Sequence, residues 1–345
     1  MNLNAIAFFN GKITIYWSGI VIALGLAAGF CLTYALYSAH NRERACVFAF
    51  FPAAVILSVI FCRAIHWYTH IEQYSGFFKA MTDYSGGSYY LQGALAGVPL
   101  AALIVEKTTL CRDRRELLDA AAPGFSLSIA LIRLSCLFNN LDRGKMAISS
   151  NVFKRLPIGA PITDASGNVT DWRFATFFWQ FVLMMILAAV LVKFYISSHN
   201  REVKEPCRVT GNVYNMFMVY FGSIELIMDS TRYDASHMHF SFLLKFLNKF
   251  FSFISLAQLI AAISILCILI HYSSVSTKAN GRMPRRIVFW VIWALGLVIA
   301  GVSEYLVQRY SGLYLPLYCA QAVGCVMMSV AVYMMYSTCV EEKNW

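Results

Sequence analysis

Charged residues are scarce in this sequence. Only 13% of its 345 residues are Asp, Glu, Lys or Arg, whereas soluble domains average about 25%. Hydrophobic residues make up 59%, above the roughly 45–50% of soluble proteins. This balance argues against a water-soluble enzyme, a disordered tail or a nucleic-acid-binding protein, and it predicts a membrane protein. We therefore attribute the net charge of +10 to basic residues in cytoplasmic loops, or to basic residues that bind anionic lipid. We expect no nucleic-acid partner.

Paired metal-binding motifs are also lacking. Ten cysteines occur, but none forms a C-x-x-C pair, so neither a zinc site nor a thioredoxin-like site is predicted. His66 and His70 have the four-residue spacing of a shared metal site, but no H-E-x-x-H motif surrounds them. We interpret them as histidines at the membrane interface, and we expect no metal or other cofactor.

Nine apolar segments qualify, or nearly qualify, as membrane-spanning helices, which need roughly 20 mostly apolar residues. They cover about 15–38, 45–66, 91–106, 117–138, 174–196, 211–229, 252–271, 287–308 and 314–336. The third is short, and the fourth carries Asp119, Pro123 and Arg133, so either could be a broken or re-entrant helix. The predicted fold is an all-α, polytopic membrane helical bundle.

Basic residues predict the orientation of this bundle. They are concentrated in the short linkers after the odd-numbered spans, at Arg42, Arg44, Lys107, Arg112, Arg114, Arg115, Arg201, Lys204, Arg208, Lys278, Arg282, Arg285 and Arg286. Short basic loops face the cytoplasm, so we expect the N-terminus outside and the C-terminus in the cytoplasm. Among the long outer segments, residues 240–253 are typical of an amphipathic helix in the headgroup layer, or of a loop folded over the bundle.

Ionisable residues inside or at the ends of the apolar segments are informative, because a charge at the bilayer centre costs about 2.5–3.5 kcal/mol on insertion scales. Arg133 is deep in the fourth segment. Glu225, Asp229 and Arg232 end the sixth at spacings that share one helical face. A cation facing the carboxylates would pair these charges. The set predicts either a polar chamber that binds a lipid phosphate or a structural ion-pair network between two helices.

Two of these segments carry longer motifs, IRLSCLFNNLDRG and FGSIELIMDSTR. They resemble G-R-x-G-N-F-x-N-x-E-x-x-G and Y-G-x-x-R-x-x-x-E-x-x-R, which are motifs of the prolipoprotein diacylglyceryl transferase family. The matching positions are Arg133, Asn139, Gly144, Gly222, Asp229 and Arg232. The family's Glu in the first motif becomes Leu141, beside Asp142, and Glu225 stands where the second motif has Arg.

Shorter matches lie in the family order along about residues 14–271. CRAIHWY resembles G-G-R-x-x-Y and places Arg63 on the family's Arg, and SGGSYYLQGALAGV places Gln92 on a functional His. IYWSGIVIALG has Ser18 in place of a Tyr, FATFFWQ loses the family's Glu to Trp179, and ISLAQL resembles I-S-x-x-Q.

The resemblance implies an enzyme of the bacterial plasma membrane with seven family-like spans in residues 1–275 and an additional C-terminal two-helix membrane segment in 276–345. The family moves a diacylglyceryl group from phosphatidylglycerol, or a related anionic phospholipid, to the lipobox cysteine of a prolipoprotein signal peptide. It needs no cofactor. The implied catalytic residues are Arg133, Arg232, Asp229 and Glu225, and the implied substrate-binding residues are Arg63, Gln92, Asn139 and Gly144.

The departures from the family motifs leave alternatives open. Gln92 cannot exchange a proton as His does, and Glu225 reverses the sign of an Arg. In one alternative Glu225 is the base for the thiol and Tyr89 or Tyr90 donates a hydroxyl. In another the protein is an altered or inactive relative that binds lipid or signal-peptide helices. A solute transporter is disfavoured because no two related halves are apparent.

Overall fold

The computed structural model describes most of the chain. The described residues are 6–9, 14–40, 44–71, 74–82, 90–108, 111, 113–164, 166–200, 210–233, 253–278, 283–310 and 312–341. Within them, a helix lies in each of the nine predicted apolar segments. Nearly all of the predicted amphipathic segment 240–253 lies outside the described residues.

Ten helices form the described part of the bundle. They are α1 (Trp17–His40), α2 (Ala45–Thr69), the short α3 (Phe77–Thr82), α4 (Ala94–Lys107), α5 (Arg114–Leu134), α6 (Thr176–Asn200), α7 (Asn212–Thr231), α8 (Leu256–Lys278), α9 (Met283–Arg309) and α10 (Tyr314–Glu341). Seven of the described helices, all except α3, α4 and α7, are long and apolar enough to cross a membrane. The predicted all-α polytopic membrane fold is thereby confirmed.

The two spans that looked irregular in the sequence differ from each other. α4 has 14 residues and follows a 3-10 turn at Leu91–Gly93. At 1.5 Å per residue it measures about 21 Å, short of the roughly 30 Å bilayer core. α5 is continuous through Pro123 and runs into a 3-10 turn at Ser135–Phe138. The short helix is therefore α4, whereas α5 is unbroken.

Polar side chains of α5 fix its position among its neighbours. Ser128 Oγ donates to the Gly25 carbonyl of α1 at 3.0 Å, and Ser126 donates to the backbone of α6. Asp119 caps the start of α7, because its carboxylate accepts from the backbone nitrogens of Gly211 at 2.6 Å and Tyr214 at 2.9 Å. A carboxylate is favoured at a helix N-terminus. α5 and α7 are thus held side by side.

Two antiparallel hairpins, which the sequence did not reveal, complete the described fold. β1 (Ile6–Phe9) pairs with β2 (Thr14–Tyr16), and β3 (Gly159–Thr163) pairs with β4 (Val169–Phe174). The second hairpin lies in the long outer segment 139–173 and leads directly into α6. It brings the end of this segment back to the loop that follows α5.

α9 and α10 pack on each other, and α10 also packs against α7 and α8. The backbones of the pair touch, since a Cβ on Gly296 would lie 2.6 Å from the Gly324 carbonyl oxygen. Ser329 of α10 is 2.7 Å from Ser223 of α7, hydroxyl to hydroxyl. The division of the chain into residues 1–275 and 276–345 stays a prediction, as does the orientation in the membrane.

Candidate active site between the ends of α5 and α7

The candidate site lies where the last turn of α5 meets the last turns of α7. Arg133 is buried at the end of α5, and Asp142 is buried in the loop that follows. Glu225 and Asp229 are buried on α7, with 1% and 4% of their surfaces exposed. Arg232 caps the end of that helix. Charged residues that are far apart in the sequence therefore lie together in the structure.

Asp142 is the centre of the cluster because it bridges two arginines. Arg133 Nη1 lies 2.7 Å from Asp142 Oδ2, and Arg232 Nε lies 2.8 Å from Asp142 Oδ1. Asp142 has φ +54°, in the left-handed region that Asp enters more readily than most residues. Burial alone would raise the pKa of its carboxyl, but Arg133 and Arg232 outweigh that effect and hold it below its usual range.

Glu225 is saturated with hydrogen-bond donors. Arg133 Nη2 donates to Oε1 at 3.3 Å, Gln92 Nε2 donates to Oε2 at 3.3 Å, and Gln180 Nε2 also donates to Oε1. The predicted pairing of Arg133 with a carboxylate of α7 is confirmed by this contact. Gln92, expected at the position of a family His, therefore orients a carboxylate through its amide.

Asp229 is less constrained than Glu225. Its Oδ1 accepts one long hydrogen bond, at 3.5 Å, from Arg232 Nη1. Its Oδ2 is buried and has no hydrogen-bond partner within the described residues. Glu225 and Asp229 lie one turn apart on α7, as predicted, but Arg232 follows the end of the helix in extended backbone and is not part of a helical face. It still pairs with Asp229 and with Asp142 of the loop after α5.

Backbone hydrogen bonds tie this loop to the end of α7. Gly144 pairs with Arg232 in an antiparallel bridge, and its nitrogen donates to the Phe174 carbonyl at 2.8 Å. The Lys145 nitrogen donates to the Thr231 carbonyl at 2.7 Å. A Cβ on Gly144 would lie 2.6 Å from Phe174 Cβ, so no side chain fits here. Gly144 thus shapes the site through its backbone.

Asn139 stabilises the turn that presents Asp142. Its Oδ1 accepts from the Leu141 nitrogen at 2.9 Å, a side-chain turn typical of Asn. Arg143 closes the same turn by donating to the carbonyls of Asn139 at 2.7 Å and Cys136 at 3.2 Å. Its guanidinium also stacks on the Phe177 ring, 4.6 Å from the centroid.

Arg63 is engaged outside the ion-pair cluster. It is buried in α2, and its Nε donates to the Ala80 carbonyl of α3 at 2.9 Å. Tyr90 stacks on His66, with 6.0 Å between ring centroids, and Tyr89 lies outside the described residues. Among the described residues, the donors to Glu225 are two amides and an arginine. No group of three His, Cys, Asp or Glu side chains in the described part is placed to share a metal ion.

An apolar cavity of about 370 Å³ adjoins the cluster. Its walls come from α1, α2, α4, α5 and α7, with side chains such as Leu26, Val55, Leu95 and Phe217. Among the described residues that line it, Arg133 is the one positively charged side chain. The cavity thus has an apolar interior and a guanidinium group in its wall. This combination suits a lipid with an anionic headgroup.

Two residues of the cluster are not among the site residues predicted from the sequence. Asp142 was noted only as the neighbour of Leu141, although its carboxylate bridges both arginines. The motif match points to Trp179, which is 37% exposed, whereas its neighbour Gln180 is fully buried and donates to Glu225. The available signal was that Gln180 is the polar residue in an otherwise apolar helical run.

The fold and the site first define a class: a polytopic membrane protein with buried arginine–carboxylate pairs beside an apolar cavity. The family model described as prolipoprotein diacylglyceryl transferase matches residues 5–274. The chain belongs to this family, and it is a multi-pass protein of the bacterial plasma membrane.

Similar proteins are named phosphatidylglycerol–prolipoprotein diacylglyceryl transferase. One from Prochlorococcus marinus (strain NATL1A) is 22% identical over 242 residues, which cover 65% of this chain and 76% of that protein. One from Prochlorococcus marinus (strain MIT 9303) is 24% identical over 224 residues, 59% and 71% of the two chains. One from Streptococcus equi subsp. zooepidemicus is 21% identical over 239 residues, 68% and 85% of the two chains.

Proposed function

We propose that this protein moves the diacylglyceryl group of phosphatidylglycerol onto the lipobox cysteine of prolipoproteins. The observation that carries the proposal is the position of Arg133, which lines the apolar cavity and pairs with Asp142 and Glu225. The names of the similar proteins supply the reaction and its two substrates. The predicted orientation, with the N-terminus outside, would turn this site to the outer leaflet, where both substrates arrive.

The lipid would bind with its acyl chains in the cavity and its phosphate at the two arginines. Arg133 Nε is buried and has no hydrogen-bond partner within the described residues, so it has a donor left for a phosphate oxygen. Arg232 lies on the other side of Asp142. Guanidinium groups bind phosphate with strong, directed hydrogen bonds. Asp142 would keep the two cations close together despite their mutual repulsion.

The chemical step exchanges one bond for another. The cysteine sulfur attacks the glycerol carbon that carries the phosphate, a C–S bond forms, and the C–O bond to the phosphate breaks. The electron pair remains on the released glycerol phosphate, whose developing charge Arg133 and Arg232 would stabilise. The thiol proton passes to a carboxylate and then to the released phosphate, so the reaction is balanced without any cofactor.

Asp229 is the better base of the two carboxylates on α7. Each oxygen of Glu225 already accepts a hydrogen bond, and three donors surround it. Asp229 makes one long hydrogen bond and keeps Oδ2 for a proton. The three donors bind the ionised form of Glu225 and leave it little capacity to exchange a proton. Glu225 would instead orient Arg133.

A second candidate function is a non-catalytic relative that binds lipid or a signal-peptide helix. The observation that favours it is the same saturation of Glu225, because the two amides and Arg133 could serve a purely structural network. In that case the cavity would still bind lipid, but no thioether would form.

Complementation of a bacterial strain depleted of its own transferase separates the two functions. We expect the full chain to restore growth and thioether-modified lipoprotein, detected by mass spectrometry, and Arg133→Ala to abolish both. Arg114→Ala is the matched control, because Arg114 pairs with Glu106 at 3.1 Å at the opposite end of the same helix. Well-expressed protein that forms no thioether would overturn the transferase proposal and favour the second candidate.

A further inference from the structure

A turn in the long segment between α5 and α6 exposes several apolar side chains. Residues 150–159 read SNVFKRLPIG and contain a 3-10 turn at Asn151–Phe153. Val152, Phe153 and Leu156 form the apolar patch of this turn, with exposed fractions of 76%, 47% and 39%. Single exposed apolar residues are normal in proteins, but three within five positions of one loop are typical of a surface that contacts a partner.

Backbone hydrogen bonds hold the patch at the beginning of a membrane-spanning helix. The Ala175 nitrogen donates to the Ile158 carbonyl at 2.9 Å, and Gly159 pairs with Phe174 at the start of the β3–β4 ladder. α6 begins one residue after Ala175 and is long and apolar enough to cross a membrane. Trp179, in the first turn of α6, is partly exposed, and Trp is enriched at the membrane–water interface. The patch therefore lies at the level where α6 enters the apolar layer.

Two cations lie within the patch. Lys154 and Arg155 stand between Phe153 and Leu156. No Asp or Glu occurs between residues 143 and 163, and no salt bridge in the described part of the chain involves either cation. Aromatic and aliphatic side chains beside Lys or Arg are typical of segments that bind a membrane surface. The apolar groups insert among the headgroups, and the cations attract anionic lipids.

We propose that this turn is a membrane anchor that binds anionic phospholipid. The apolar patch would insert into the headgroup layer, while Lys154 and Arg155 would contact lipid phosphates. A lipid surface fits better than a protein partner, because the patch lies at the end of a spanning helix and its charge is complementary to anionic headgroups. The anchor is separate from the proposed transfer reaction, since its residues neither line the cavity nor join the ion-pair cluster.

The anchor would fix the depth of the loop that carries Asp142. The Phe174 nitrogen donates to the Met146 carbonyl of this loop at 3.0 Å. Gly159, the partner of Phe174 in the ladder, packs against the turn, because a Cβ there would lie 2.4 Å from the Phe153 carbonyl oxygen. The turn, the hairpin and the loop are thus joined by backbone contacts. Anchoring the turn therefore holds the loop at one depth in the membrane.

Photo-crosslinking of the full-length protein tests the anchor. The protein would carry p-benzoylphenylalanine in place of Val152 and be reconstituted in vesicles of equal phosphatidylcholine and phosphatidylglycerol. We expect irradiation to attach phospholipid at this position, detected by mass spectrometry of the proteolytic peptide. Leu156 provides a second labelling position if the first variant does not fold.

Two control positions make the result decisive. Val298, exposed on α9, should give lipid adducts because it lies in a spanning helix. Ser166 should give none, because it lies beyond the far end of the hairpin, about 13 Å from Gly159 at 3.3 Å per residue. Lipid adducts at Val298 but at neither Val152 nor Leu156 would overturn the anchor. Equal adducts at Val152 and Ser166 would overturn its assignment to this turn.

The headgroups of the adducts test the role of the two cations. We expect the lipid attached at Val152 to be enriched about fivefold in phosphatidylglycerol, the preference that one basic residue gives near an anionic surface. Lys154→Gln/Arg155→Gln in the same protein should return the adducts to the vesicle composition. An enrichment that persists in this variant would overturn the recognition of anionic lipid.

The same labelled positions distinguish lipid from protein. In bacterial membranes, adducts of Val152 with a second protein chain in place of lipid would assign the patch to a protein partner and overturn the anchor. The crosslink forms without catalytic turnover, so its outcome is independent of thioether formation. A protein that forms lipid adducts but no thioether would keep the anchor and lose the transferase activity, and the reverse result would do the opposite.

Discussion

Two polar clusters contact α7, and they stabilise their buried carboxylates differently. On the α5 side, Asp142 and Glu225 are paired with arginines at 2.7–3.3 Å. On the α10 side, the hydrogen bonds to Glu304 come from the amides of Gln308 and Gln321. In the first cluster each buried charge has a partner of opposite sign, so removing one side chain leaves another charge without its partner. Both clusters contain amide donors, because Gln92 and Gln180 also donate to Glu225, so the arginines are what distinguish the first cluster.

This contrast follows from the cost of burying charge. Taking an ion pair out of water costs several kcal/mol per ion, and the attraction between the partners offsets this only when the geometry is good. Stability alone would therefore favour apolar side chains at Arg133 and Glu225. Their retention in the apolar bundle is better explained by a task that needs fixed cations, such as holding a phosphate.

The largest effect is expected on breaking the first cluster at Arg133. Arg133→Met leaves Glu225 with two amides and Asp142 with Arg232 alone, so we expect about 3–5 kcal/mol of destabilisation, the range for one partner of a buried pair. The measurement is the free energy of unfolding in detergent. Arg114→Met, at the half-exposed pair with Glu106, should cost at most about 1 kcal/mol. Equal losses would contradict the assignment of Arg133 to a buried ion-pair cluster.

Asp142→Asn should have the second largest effect. Asn adopts the left-handed backbone as readily as Asp, so the variant removes the charge and keeps the turn. We expect a loss of about 1.5–3 kcal/mol, the value of hydrogen bonds to charged groups. The contribution of a carboxyl with a lowered pKa is complete above its unfolded pKa and is lost only as the pH falls through its folded value. The difference between wild type and variant should therefore be constant from about pH 6 to 8.

At the contact of α10 with α7, Ser329→Ala removes the hydroxyl that lies 2.7 Å from Ser223. One neutral hydrogen bond contributes about 0.5–1.5 kcal/mol, so a loss in this range is expected in the same unfolding measurement. The double variant Ser223→Ala/Ser329→Ala should be no less stable than the single one, because no buried hydroxyl then lacks its partner. A larger loss in the double variant would show that these serines have other partners.

Glu304→Gln should change the free energy of unfolding least, by about 1 kcal/mol or less in either direction. The substitution removes a buried charge while an amide oxygen can still accept from Gln308 and Gln321, so the gain and the cost nearly cancel. A loss as large as that of Arg133→Met would remove the distinction between the two clusters.

The helices could be predicted because bilayer-length apolar runs leave few alternatives to an α-helix. The motif residues lie together where α5 and the loop after it meet the end of α7. They are Arg133, Asn139, Gly144, Asp229 and Arg232. Their roles stay predictions until the variants are measured.

What sequence could not supply was the set of contacts made by tertiary packing. The rotation of α6 decides that Gln180 rather than Trp179 faces Glu225, and one residue of register separates the two. A motif also cannot reveal that Asp142, whose backbone is in the left-handed region, pairs with both Arg133 and Arg232. The contacts of Glu304 could not be predicted, because no motif extends to this residue.

The contact between Gly296 and Gly324 has a consequence for motion. Backbones that meet without side chains between them pack closely along the helix pair, and adding one methyl at either glycine would force α9 and α10 apart. The pair should therefore move as one rigid body. Motion of this pair relative to the rest of the bundle would then occur where α10 contacts α7, at small hydroxyl contacts such as that of Ser329 with Ser223.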